Sequence, residues 1–110
     1  MYKPDRWVVL KLPAGNKVLG GWSGGYLDGD SWRLNSGIKE AHTEDNGLFF
    51  FTGHSGSVYK CHRDGYGLNA ITAAVYQKLK NKADEKGMIC EIMPDDTNWM
   101  ELDYEWRGSI

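Results

Sequence analysis

The residue types that could do chemistry gather between Gly53 and Gly67, in the run Gly-His-Ser-Gly-Ser-Val-Tyr-Lys-Cys-His-Arg-Asp-Gly-Tyr-Gly. Two of the three histidines, one of the two cysteines and four of the 14 glycines fall there. Three chemistries draw on such residues. The first is acyl transfer by a serine: Gly53-His54-Ser55-Gly56-Ser57 follows the nucleophile-elbow pattern G-x-S-x-G until its last position, where Ser57 replaces glycine. An elbow needs a strand-to-helix turn, whereas residues 57–62 alternate as a strand does. The same letters describe a hairpin turn of small residues, and no catalytic residue is assigned.

The second chemistry is metal binding, because His42, His54, Cys61, His62 and Cys90 are ligand types that zinc prefers. Cys61 and His62 are neighbours in an extended segment and therefore point to opposite faces. The chain holds no C-x-x-C or H-x-x-x-H pair. Asp28-Gly29-Asp30 begins with calcium-loop spacing, but Trp32 stands where the next oxygen ligand is required. No metal and no cofactor is expected. The third chemistry is capture of a small anion, in which His54, Ser55, His62 and Arg63 would work beside the N-terminus of the helix that follows.

These residues need elements to position them. Arg6–Leu12 is a β-branched and aromatic run closed by Pro13-Ala14-Gly15-Asn16, and residues 17–22 form its hairpin partner. Glycines 20, 21, 24 and 25 around Trp22 predict a bulge or bend. In a third strand, period two puts Trp32, Leu34, Ser36 and Ile38 on one face. Residues 39–47 read as a polar connection ending in the turn signal Asp45-Asn46-Gly47. Leu48-Phe49-Phe50-Phe51 predicts a strand covered on both faces, and the hairpin return occupies 57–62.

Asn69 is placed to cap a helix whose stripe is Ile71, Ala74, Val75, Leu79 and Ala83, with Gly87 just past its end. Residues 88–93 predict a strand stopped by Pro94. From Met100 onward the chain alternates, with Met100, Leu102, Tyr104 and Trp106 inward, which predicts an antiparallel partner for 88–93. The fold expected is α+β, as a single domain over residues 1–110. It is an antiparallel sheet of five to seven strands with one helix, about 69–86, packed on one face.

Composition narrows the function classes. Five Trp, six Tyr and three Phe in 110 residues are more rings than so small a core encloses, so some supply contact surface. Trp22, Tyr26 and Tyr66, beside glycine-rich loops, are the first candidates, followed by His54, His62 and Arg63. The net charge of −2 lacks the cationic surplus that phosphate contacts require, and nucleic acid is the least favoured partner. Residues 1–87 carry twelve Lys/Arg against nine Asp/Glu, while residues 88–110 carry one Arg against six acids. Glu91, Asp95, Asp96, Glu101, Asp103 and Glu105 thus form an acidic ribbon. It either blunts a sheet edge or meets a basic partner.

No stretch has the apolar length of a membrane span or the pattern of a signal peptide, so no membrane partner and a cytoplasmic location are expected. There, Cys61 and Cys90 would be buried thiols; a disulfide would need adjacent strands and an oxidising compartment. The first functional expectation is a small non-enzymatic interaction or regulatory protein, of the kind that bacteriophages and mobile elements often encode. It would dock an unidentified protein, basic in charge, through aromatics and acids, and self-associate through a sheet edge or apolar face. The alternative is an enzyme or binding domain for a small anionic ligand at the Gly53–Gly67 loops and the helix start. Single-stranded nucleic-acid binding by sheet aromatics comes third.

Overall fold

A computed structural model of the protein describes residues 1–23, 31–45, 47–102 and 104. Among these residues the fold is α+β, with seven strands divided between two antiparallel sheets and one helix. Strands β1 (Arg6–Leu12), β2 (Gly15–Trp22), β3 (Ser31–Leu34) and β7 (Glu91–Ile92) make the first sheet, in the order β3-β2-β1-β7. Strands β4 (Ile38–Asp45), β5 (Leu48–Gly53) and β6 (Val58–His62) make the second, in the order β4-β5-β6. Helix α1 is Ala70–Glu85.

The pleat of β1 organises both layers. Trp7 and Val9 face the second sheet and join Val18, Ile38, Phe51, Tyr59, Cys61 and Trp99 in one buried cluster. Val8 and Leu10 face the other way, with Leu19, onto Val75, Tyr76 and Leu79 of α1. A run of four apolar residues is what a strand covered on both sides requires, and Trp7–Leu10 is such a run. Leu48–Phe51 is another. Its strand is central in the second sheet, but the outward Phe50 reaches 7% exposure. The His42 ring stacked on it at 4.9 Å and the Lys60 ammonium 6.0 Å from its centroid provide that cover.

Glycines 20 and 21 stay in regular register, opposite Trp7 and Arg6, where a bulge or bend was expected. Packing explains Gly21: a Cβ there would stand 2.6 Å from Asn69 Nδ2 and 2.8 Å from Thr72 Cγ2, at the start of α1. Asn69 caps that start as expected. Its Oδ1 accepts the Thr72 N–H at 2.9 Å, and the Asn69 N–H donates to Thr72 Oγ1 at 2.9 Å. The inward face of α1 is Thr72, Val75, Tyr76 and Leu79, and Ala74 is exposed. Gly87, at φ +65°, ends the helix with its N–H on Asp84 O.

Two expectations about strands are corrected. Residues 31–38 are not one strand, because the chain crosses between sheets at Asn35–Gly37. Asn35, 4% exposed, accepts the Val18 N–H through Oδ1 at 2.9 Å and donates its own N–H to Val18 O. Trp32 consequently lies at 46% exposure while Ile38 is buried. The polar residues that follow are strand β4, whose register shifts at Ile38/Glu40 and Thr43/Asp45 hide its period from the sequence.

The third correction concerns the C-terminal region. Strand β7 is two residues long and pairs with β1, Leu10 opposite Ile92. Residues 95–102 form turns, with the Thr97 N–H on Pro94 O and the Glu101 N–H on Asn98 O, each at 3.1 Å. Met100, read as inward, is exposed, while Trp99 before it is buried at 2% exposure. Leu102 and Tyr104 do pack on the core, while Trp106 lies outside the described residues. Cys61 and Cys90 are both buried free thiols. Among the described residues no helix is long and apolar enough to cross a membrane.

Candidate functional site

A concavity follows from how β6 ends. After His62 the chain enters a 3₁₀ turn, Arg63–Gly65, and swings back under β1. Gly65 permits this, since a Cβ there would stand 2.7 Å from Asp5 O. Tyr66 then bridges to Trp7 in parallel, with the Gly67 N–H on Trp7 O at 2.8 Å. Across from this corner the 94–100 segment is tied by Thr97, whose hydroxyl donates to Pro94 O at 2.6 Å, and by Asn98 Oδ1, which accepts the Met100 N–H. These ties turn Asp95 and Asp96 outward and send Trp99 into the core.

Between corner and loop lies an open cleft of about 590 Å³, with Arg63, Asp64, Asp95, Asp96 and Thr97 on its rim and Trp7, Phe49, Tyr66 and Trp99 beneath. Tyr66 meets Trp7 edge-on at 4.7 Å and 86°, and Trp99 lies 5.8 Å from Trp7 and 5.6 Å from Tyr66. Such tilted and edge-on contacts stack the rings into a rigid floor. Arg63 holds its guanidinium carbon 5.9 Å from the Phe49 centroid. A smaller pocket of about 310 Å³ adjoins, sharing Phe49, Arg63, Asp96, Thr97 and Trp99 and adding Thr43, Asp45 and Gly47.

The polar handles of the floor are already committed. Trp7 Nε1 donates to His62 O at 2.6 Å, while Tyr66 Oη accepts the Val9 N–H at 3.2 Å and donates to Met93 O at 2.6 Å. Burial pushes the Tyr66 hydroxyl up to about 12; the Val9 hydrogen bond opposes that rise and the nearby Asp95 charge adds to it. Near neutrality Tyr66 is thus a fixed donor, without a proton to give or a lone pair to spare. The charge the cleft offers a ligand comes from its rim.

The expected site residues separate into three places. Arg63 and Tyr66 meet Asp95 and Asp96 at the cleft. His62, next to them, contributes its backbone carbonyl to Trp7 while its side chain is exposed, opposite in facing to the buried Cys61. His54 lies in the turn at the far end of the β5–β6 hairpin, since Leu48 pairs with His62 and Thr52 with Val58. There Ser55 Oγ makes contacts of 3.2 Å and 3.4 Å with the hydroxyls of Ser36 and Ser57, and the turn joins two strands. Trp22 stands elsewhere again, edge-on to Tyr2 at 6.3 Å, and the Arg33 guanidinium covers Tyr2 at 4.4 Å.

Glu91 and Glu101 are exposed but do not line the cleft, while Tyr26, Asp103 and Glu105 lie outside the described residues. The helix start is occupied by its own capping box. Among the described residues no three His, Cys, Asp or Glu side chains come together as a metal site.

Sequence reasoning did not single out Trp7, Phe49, Asp64, Thr97 or Trp99. One usable signal was Pro94-Asp95-Asp96-Thr97-Asn98, a string of turn formers that predicts a reversal with Trp99 on its return. No protein-family model, no curated protein and no solved structure matches the chain.

Proposed function

We propose that this protein is a small interaction domain that docks a basic segment of a partner protein in the cleft between the Arg63–Tyr66 corner and the 94–99 loop. One observation carries the reading: among the described residues, Asp64, Asp95 and Asp96 ring an aromatic floor against one cation, Arg63. Among the described residues the ion pairs are His42–Glu44 and Lys80–Asp84, so none of the three rim carboxylates is neutralised by a neighbour. Carboxylates left open at a cleft mouth speed the encounter with a cationic partner and fix its register. The half-buried rings of Phe49 and Tyr66 add contact area at little entropic cost.

The committed hydroxyl and indole of the floor favour binding over catalysis, because a general acid or base must have a proton or lone pair available to substrate. The rim's negative balance favours a cation over the anionic ligand otherwise considered. A dimer through a sheet edge is not part of the reading. β6 is bridged by Tyr2, whose N–H reaches Val58 O, and β4 carries two register shifts together with Lys39, Glu40, Glu44 and Asp45. Those are the features that blunt an edge.

Titration of the ¹⁵N-labelled protein with an arginine-rich peptide tests the proposal. Amide shifts are expected at residues 63–66 and 95–99, with affinity falling as salt rises. Asp95→Asn with Asp96→Asn is expected to weaken binding roughly tenfold. Shifts scattered over the surface, or an affinity indifferent to both substitutions, would remove the cleft as the docking site.

A further inference from the structure

The cleft and the smaller pocket adjoin and together form a groove. They share Phe49, Asp96 and Trp99, and Arg63 lines both. Each compartment has carboxylates of its own: Asp64 and Asp95 line the cleft, Asp45 lines the smaller pocket, and Asp96 and Arg63 line both. A divider that was merely structural would be expected to neutralise these acids. Among the described residues Arg63 makes no ion pair, and its guanidinium lies over the Phe49 ring instead. Its backbone N–H donates to Gly47 O at 2.7 Å, which fixes the point from which the side chain reaches the Phe49 ring.

We infer that the groove takes an extended peptide bearing two cationic side chains, one seated on each side of Arg63, and that Arg63 sets the spacing between them. The inference rests on the docking reading above and names its ligand more closely. A like charge shared by two acidic pockets, resting over the Phe49 ring, repels a cation placed directly over it and leaves the carboxylates of each pocket attractive. This discriminates by repulsion as well as by attraction. A peptide with one basic residue satisfies one compartment. A peptide with two at the matching separation gains the second at little further cost, because that event is intramolecular. In an extended chain each residue advances about 3.3 Å and alternate side chains share a face, so the match is expected at one separation and is lost one residue to either side.

The probe is a set of alanine-based peptides carrying two arginines at graded separations, with single-arginine peptides of equal length beside them. Calorimetry reads the affinities. One separation is expected to bind roughly tenfold tighter than the single-arginine peptides. Arg63→Ala is expected to flatten that preference while binding every basic peptide at least as tightly, because it removes a repelling charge. Arg63→Gln, which keeps a stem over Phe49, gives the same comparison if the alanine variant does not fold.

If single- and double-arginine peptides bind alike and both depend on Asp95 and Asp96, the two-seat groove is overturned while the docking reading stands. If no basic peptide binds, both fall together. If Arg63→Ala weakens binding with the spacing preference intact, Arg63 is a contact and not a spacer, and this inference fails.

Discussion

The two glycine turns on either side of β6 look alike in sequence and do different work. At Gly53–Ser57 the chain reverses in solvent: the Gly53 N–H donates to Ser57 O at 2.8 Å, and Gly56 takes φ +91° with nothing within 4 Å of where a Cβ would sit. Gly56 is used there for its dihedral freedom, while Gly53 is buried and a Cβ on it would stand 2.9 Å from Ser36 Oγ. At Gly65–Gly67 the chain runs under β1: a side chain at Gly65 is excluded because the Asp5 backbone oxygen occupies its space, and Gly67 takes φ +142° beside the Arg6 guanidinium. The second turn is held by the Trp7 and Trp99 rings and borders the cleft. The richer set of reactive letters, His54-Ser55-Gly56-Ser57, marks the emptier place.

The contrast is broken most severely at Trp7, the ring on which the packed corner rests. Trp7→Ala removes a side chain buried among Phe51, Tyr66 and Trp99 and leaves His62 O without its donor. A loss of about 3–5 kcal/mol is expected in urea unfolding. If the loss is under about 1 kcal/mol, this corner is not part of the core and the two turns are equivalent after all.

Paired glycine substitutions sharpen the difference. Gly65→Ala places a methyl group 2.7 Å from the backbone oxygen of Asp5, which cannot swing aside, and is expected to cost about 3 kcal/mol. Gly56→Ala meets open space and incurs only its positive φ, about 1 kcal/mol. Thermal unfolding of the two variants in parallel gives the ratio. A reversed order would mean that dihedral strain, and not packing, is what these glycines resolve.

The sequence exposed what is local and concealed what is long-range. Asn69 and Gly87 mark the helix because capping acts within a few residues, and β1 with β2 are legible from their alternation and intervening turn. The division into two sheets was hidden. It depends on the buried amide of Asn35 fastening the crossover to Val18, and nothing about a polar residue after Leu34 announces that. Strand β4 was hidden by its bulges, and the burial of Trp99 by turns that no periodicity marks.

The cleft was half legible for the same reason. Arg63, Tyr66, Asp95 and Asp96 were singled out for their types. That they face one another follows from the chain passing under β1 and from Tyr66 Oη reaching Met93, 27 positions later.

Tyr66→Phe tests that tie. It keeps the ring and removes an oxygen that satisfies both the Val9 N–H and the Met93 carbonyl, a loss of about 1–2 kcal/mol at neutral pH. The alkaline limb carries a second signature. Burial raises the hydroxyl from 10.0 to about 12, so the fold favours the phenol and disfavours the phenolate. That contribution is intact below pH 10 and fades as pH climbs through about 12. The phenylalanine variant is expected to lose stability less steeply over this window. The remaining slope belongs in part to Tyr59, which burial also raises to about 12. Equal slopes in variant and parent would mean that Tyr66 already meets water in the fold.

The smallest effect is expected at Ser55, the position where a nucleophile would sit if the first turn were an active site. Its Oγ contacts Ser36 and Ser57 at 3.2 Å and 3.4 Å, all three on the surface, where water replaces a lost hydroxyl partner at almost no cost. Ser55→Ala should stay within about 0.5 kcal/mol of the parent. It should also bind an arginine-rich peptide as the parent does, because the far end of the hairpin does not line the groove. A hydroxyl that mattered to binding here would put function in the open turn and reverse the assignment of the two. A change in stability alone would show instead that the serine contacts hold the crossover between the sheets, since Ser36 sits in it and accepts the Ser55 N–H at 3.0 Å.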